Sequence, residues 1–169
     1  MIVNRKKEKP STEKTHHIYI NDKIYHYSDS DKKRFDSNAL DNYRRRAKKL
    51  SVPYTLTAES LRDWWLTTPD VCTYCDSTVT EYLKMSMFIM QYTGNAPTII
   101  RFKNAFNLPN HQSIAFMTKD RIDNSKGYTI DNLCKACWLC NYLRGRNFTS
   151  DEWKLIAPMI MKKLKAVCL

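Results

Sequence analysis

The chain has 169 residues, about 43% of them apolar and 12% aromatic, enough for one domain with a modest core and against wholesale disorder. Three glycines leave no glycine-rich nucleotide loop, and a formal charge of +11 suits a polyanionic partner, nucleic acid before anionic membrane, with a solubilising surface as the alternative. The excess is concentrated at the start, where residues 1–50 carry 14 Lys/Arg against 7 Asp/Glu.

Residues 1–15 mix Lys, Glu, Pro, Ser and Thr and read as a mobile tail, cationic and without the apolar stretch of a secretory signal. Ile18–Ile20 and Ile24–Tyr25, around Asn21-Asp22, read as a small hairpin, followed by a polar linker over Ser28–Lys33. The expected division is a basic arm over 1–35 and a main domain over 36–169. From Ser37 a helix is predicted, with Leu40, Tyr43, Ala47 and Leu50 at helical spacing and Pro53 beyond its end. Arg44, Arg45, Arg46, Lys48 and Lys49 crowd its other faces, either as a nucleic-acid contact surface or as a solvated face. Thr57 caps a second helix with Leu61, Trp64 and Trp65 on one side, read as core rather than as base-stacking platforms.

Pro69-Asp70 turns the chain into Cys72 and Cys75. Glu81–Tyr92 reads as a helix, whereas Asn95–Asn110 shows no clear period. The longest apolar run, Met85–Met90, is broken by Ser86 and is far below the ~20 residues of a membrane helix. Ile114–Met117 leads as a strand toward Asp120, a polar turn is centred on Gly127, and Asn132 opens a second strand that runs into Cys137, Cys140 and Asn141. Thr149–Glu152 is a capping box for a closing helix with Trp153, Ile156, Ala157, Ile160, Met161 and Leu164 as its apolar stripe and Pro158 as a kink.

Thiolates at i and i+3 on a tight knuckle converge on one soft cation, so two Cys-x-x-Cys pairs can complete a tetrahedral structural zinc site. Cys72, Cys75, Cys137 and Cys140 are the expected ligands, with 61 residues between the pairs. A redox role for the pairs is the alternative, and Cys134/Cys137 offers a second register. The later register is preferred because it delivers Asn141 to the start of the following helix, leaving Cys134 and Cys168 as ordinary buried thiols. Metal-bound cysteines fit a reducing compartment, so the expected setting is intracellular and soluble, in the cytoplasm, or the nucleus of a eukaryote.

The run Asp-Arg-Ile-Asp-Asn-x-x-Gly-Tyr…Asp-Asn…Cys-x-x-Cys-Asn, over about Thr118–Gly145, resembles the zinc-stapled HNH endonucleases. The resemblance implies an α+β fold: a small zinc-bound ββα-metal nuclease core flanked by helices. It implies metal-dependent hydrolysis of double-stranded DNA, leaving a 5′-phosphate and a 3′-hydroxyl. Asp120 and Asn141 would hold a catalytic Mg²⁺ or Mn²⁺ through hard oxygens, and Asn132 would brace the loop. Arg121 stands where most members carry the general-base His. A guanidinium does not accept a proton but can clamp a phosphate oxygen. Water activation then falls to Tyr128 or to His111. Lys126, Lys135, Arg144 and Arg146 are expected to meet backbone phosphates. The Arg121 departure keeps a rival open, a zinc-stabilised nucleic-acid-binding module with a decayed centre, and RNA remains a further substrate class. One centre addresses one phosphate, so either a nicking monomer or a homodimer on a palindromic site is expected.

Overall fold

The computed structural model describes residues 14–106 and 117–168. The chain runs β1 (Thr15–Ile20), β2 (Lys23–Ser28), α1 (Asp29–Lys32), α2 (Ser37–Leu50), α3 (Ala58–Thr67), α4 (Val79–Gln91), α5 (Pro97–Phe106), β3 (Met117–Arg121), β4 (Leu133–Cys137), α6 (Trp138–Arg144) and α7 (Ser150–Cys168). The strands form two antiparallel hairpins, β1–β2 and β3–β4. No described helix is long and apolar enough to cross a membrane.

Asn21 and Asp22 both have positive φ, 49° and 60°, which gives the two-residue β1–β2 turn the twist that suits a hairpin. The segment expected to be linker differs. Ser28 and Asp31 form a reciprocal capping box, so the chain leaves β2 straight into α1. Tyr27 then meets the core residue Phe35 edge-on at 5.5 Å.

Asp36 caps α2, whose Leu40 and Ala47 are buried while Arg44, Arg45, Arg46, Lys48 and Lys49 are exposed. Ser51 ends it in the left-handed conformation, accepting the strain to direct the chain back toward the core. Thr57 and Ser60 cap α3, which buries Leu61 and Trp65 and half-buries Trp64. Thr78 and Glu81 cap α4.

The region without a legible period contains α5. Pro97 opens this helix, and Ile99 and partly buried Phe102 face the core. Ile114–Phe116 and His111 lie outside the described residues, as does the tail 1–13. The closing helix continues through Pro158, which forgoes one helical hydrogen bond. It buries Trp153, Ala157, Met161 and Leu164, and Lys165 meets Glu81 of α4 at 3.2 Å.

Candidate active site and metal centre

The cysteine knuckles position everything else. In the first, Asp76 takes positive φ and its N–H donates to Cys72 O, which turns Cys75 back toward Cys72. In the second, Cys137 caps α6, and the Cys140 N–H points at its sulfur from 3.4 Å. The ligand atoms of Cys72, Cys75, Cys137 and Cys140 all lie within 4.8 Å of one another, and all four residues are buried. A tetrahedron with ~2.3 Å zinc–sulfur bonds has edges of about 3.8 Å, and the Cys75–Cys137 sulfur distance is 4.0 Å. Mutual thiol contacts pull Cys75 below the ordinary thiol pKa and push Cys137 above it. Four adjacent buried sulfurs ionise together only around a cation, so this donor set suits zinc. Cys134 stands outside the cluster, its thiol pushed up to about 11 by burial, and Cys168 is half-buried.

Side chains alternate across β3, so Thr118 and Asp120 share the face on which α6 packs. Asn141, on the second turn of α6, donates its Nδ2 to Thr118 Oγ1 at 2.9 Å and to Lys119 O at 3.4 Å. The Thr118 hydroxyl donates to Ala136 O and therefore can only accept from Asn141. These contacts fix which way the amide points, and Asn141 Oδ1 has no partner among the described residues.

One turn further, Arg144 reaches Asp120. Its Nη1 donates to Asp120 Oδ2 and to Arg121 O, and its Nη2 to Ile122 O, each at 2.7 Å. Asp120 Oδ2 also accepts from Tyr74 at 2.9 Å, and Asp120 Oδ1 has no described partner. Tyr74 sits inside the first cysteine knuckle, and its hydroxyl accepts from Cys134 at 3.3 Å. Burial, with the Asp120 charge beside it, holds the Tyr74 phenol well above its usual pKa, so it stays a donor.

Two expectations need correction. Arg144 is only 1% exposed, and its guanidinium is engaged by Asp120 and two carbonyls rather than by solvent. Lys135 is likewise 1% exposed, donating to Thr68 O at 2.7 Å and Asp70 Oδ1 at 2.6 Å above the Trp65 ring. Neither is an exposed cation: Lys135 is anchored by Thr68 and Asp70, and Arg144 is anchored through Nη1 and Nη2, with Nε its one unpartnered nitrogen among the described residues. Lys126 and Arg146 are exposed.

Asn132 is buried and ties the loop together. Its Oδ1 accepts from Asp123 N, and its Nδ2 donates to Asp123 O and Gly127 O. Gly127 is required by close approach: a Cβ there would lie 2.1 Å from Pro53 O. This contact lets Tyr128 N donate to Pro53 O and Thr55 N donate to Tyr128 O. Arg121 stacks over the Tyr128 ring at 4.7 Å and donates to Lys126 O, while Tyr128 packs on Tyr43. Both are buried, but the Tyr128 hydroxyl and the remaining Arg121 donors have no described partner.

The residue missed in the sequence is Tyr74. Its place between two knuckle cysteines was the only local signal, since Asp120 is 46 residues away.

No family model and no curated protein matches the chain. Among solved structures it resembles the rare-cutting HNH restriction endonuclease PacI, at 22% identity and a TM-score of 0.52 over 75% of this chain and 76% of that one. The likeness is one of fold, helices around a small-stranded core resembling an HNH nuclease; the four-cysteine cluster is an observation of this chain.

Proposed function

We propose that this chain is a metal-dependent DNA endonuclease, stapled by zinc at Cys72, Cys75, Cys137 and Cys140. The observation that carries the reading is a pair of unpartnered oxygens, Asp120 Oδ1 and Asn141 Oδ1, held from one face of β3 and the facing turn of α6. They are hard donors suited to Mg²⁺ or Mn²⁺. Asp120 and Asn141 would hold a divalent cation there, which would supply charge stabilisation at the scissile phosphate and the leaving 3′ oxygen.

The protein groups divide the remaining work. Tyr74 and Arg144 hold the Asp120 carboxylate in one orientation through Oδ2, leaving Oδ1 for the cation. Asn132 keeps the loop closed, so Arg121 stays at the strand end with donors for a phosphate oxygen. The proton of the attacking water passes to Tyr128 acting as its phenolate, which becomes the phenol, or to a base outside the described residues, such as His111. Arg44, Arg45, Arg46, Lys48, Lys49, Lys126 and Arg146 contact the phosphates of duplex DNA from exposed positions.

One observation favours the rival, a binding module without catalysis. Asp120 already shares Oδ2 with a buried guanidinium, whose positive charge opposes a second cation beside it. Cleavage of supercoiled plasmid with Mg²⁺ or Mn²⁺ decides between them. Asp120→Ala and Asn141→Ala should lower cleavage on the order of 10²–10³-fold, the scale of losing a transition-state stabiliser, while duplex affinity stays near the parent. Parent protein that binds duplex but never cuts with either metal is the binding module. The expected order of products is open circle before linear, since one centre addresses one phosphate. Linear DNA without that intermediate, from a sedimenting dimer, establishes the two-centre form.

A further inference from the structure

A cleft of about 440 Å³, lined in part by Arg144 but not by Asp120, opens between the loop after β3 and the start of α7. Lys126, Arg144, Arg146, Thr149, Ser150 and Glu152 are among its lining residues. The Thr149–Glu152 capping box is closed: Glu152 accepts from Thr149 N at 2.8 Å and from its hydroxyl at 2.9 Å, and Glu152 N donates back at 3.2 Å. The N–H groups of Ser150 and Asp151 remain without described partners at the positive end of a 19-residue helix.

Two buried polar atoms independently point to a ligand. Ser150 is 6% exposed and its Oγ has no partner, and Arg144 is 1% exposed with Nε equally unpartnered. Native interiors rarely leave such groups unmatched. Of the lining carboxylates, Asp123 bonds Ser125 and faces Lys126 at 3.8 Å and Glu152 is bound into the cap, while Asp151 is exposed to solvent beside Lys154. Arg146 stands exposed at the mouth.

We propose that this cleft is a phosphate subsite that takes a backbone phosphodiester of the bound DNA, neighbouring the phosphate at Asp120–Asn141. It rests on the nuclease reading above. Arg144 separates the two positions, holding Asp120 with Nη1 and offering Nε to the second phosphate. Helix-start amides, a hydroxyl and a guanidinium form the donor set a phosphate oxyanion requires.

The test uses the full zinc-loaded chain and a non-specific duplex without divalent cation, so it reads binding independently of cleavage. Arg146→Gln should reduce the slope of log affinity against log salt by about 0.9, the effect of one lost phosphate contact. Ser150→Ala should weaken duplex binding about fivefold, the weight of one hydrogen bond. Its melting temperature should hold or rise, because an unmatched buried hydroxyl is removed, which a purely structural serine would not show. The Ser150 and Asp151 amide resonances should shift on adding duplex. If both variants bind with parental affinity and salt slope, or the amides stay still, the subsite is wrong. If inorganic phosphate shifts the amides and duplex does not displace it, the cleft serves free phosphate and the proposal fails. Plasmid cleavage that survives such a failure leaves the nuclease reading standing, and a shifted salt slope without cleavage leaves only the subsite.

Discussion

The two faces of the β3–β4 hairpin solve the same problem differently. On the α6 face, Arg144 is buried against a carboxylate and two carbonyls, beside the cysteine cluster. On the opposite face, Arg34, Lys119 and Lys135 gather around the Trp65 ring at 4.9, 5.0 and 4.4 Å. Lys135 has Asp70 there, and Arg34 has Asp31 at 3.6 Å. Lys119 bonds the Arg34 carbonyl and sits over aromatic rings with no bonded carboxylate among the described residues, and burial, then Arg34, outweigh the more distant Asp36 and push its pKa down to about 7. A cation paired on all sides builds a rigid site, whereas one packed without a carboxylate carries a cost that depends on pH.

Removing the zinc should be the severest way to break the α6 face, because both knuckles and Tyr74 depend on it. Chelation or Cys137→Ser should forfeit on the order of 10 kcal/mol of metal-coupled folding energy and leave the chain unfolded by circular dichroism. Metal analysis of reduced protein without zinc, or a parental melt for Cys137→Ser, would refute the staple.

Breaking the ion pair alone should cost less. Arg144→Met leaves Asp120 buried with only Tyr74, a loss of about 3–5 kcal/mol measurable by urea unfolding. A change below 1 kcal/mol would mean that water reaches Asp120 and replaces the guanidinium.

Tyr74→Phe removes one hydrogen bond and keeps the ring. About 1–2 kcal/mol of stability should go. Cleavage should fall through kcat rather than KM, since the hydroxyl orients a carboxylate and does not bind DNA. A loss confined to KM would place Tyr74 in substrate binding instead.

The smallest effect has the opposite sign and sharpens the contrast between faces. Lys119→Met should raise stability near pH 7 by removing a poorly compensated cation. The folded lysine loses its proton near pH 7 and the unfolded one near 10.5. Between those values the unfolded chain binds more protons, so parental stability climbs with pH. The gap between variant and parent melts should therefore narrow from pH 7 toward 10.5, and a constant gap would show Lys119 charged throughout.

What was local in the chain could be read from the chain. Asn21-Asp22, the stripe of α2, the Thr57 and Thr149 caps and the i, i+3 cysteines act over a few residues, so side-chain type and spacing determine them. The Asp-Arg…Asn…Cys-x-x-Cys-Asn run likewise announced the HNH core whose fold the structure shares. Helix α5 was hidden because its apolar residues interleave with polar ones around Pro97 and Asn104. Exposure was the harder matter. Lys135 and Arg144 look like any cations in a basic stretch, and only Asp70, 65 residues away, and Asp120, 24 away, draw them inside. Tyr74 meets Asp120 only because two cysteine knuckles 61 residues apart come together. Pattern along the chain set the local elements and the metal ligands. Which charges face water and which are matched within was decided by tertiary packing, since a counter-charge or carbonyl distant in sequence has no local signature.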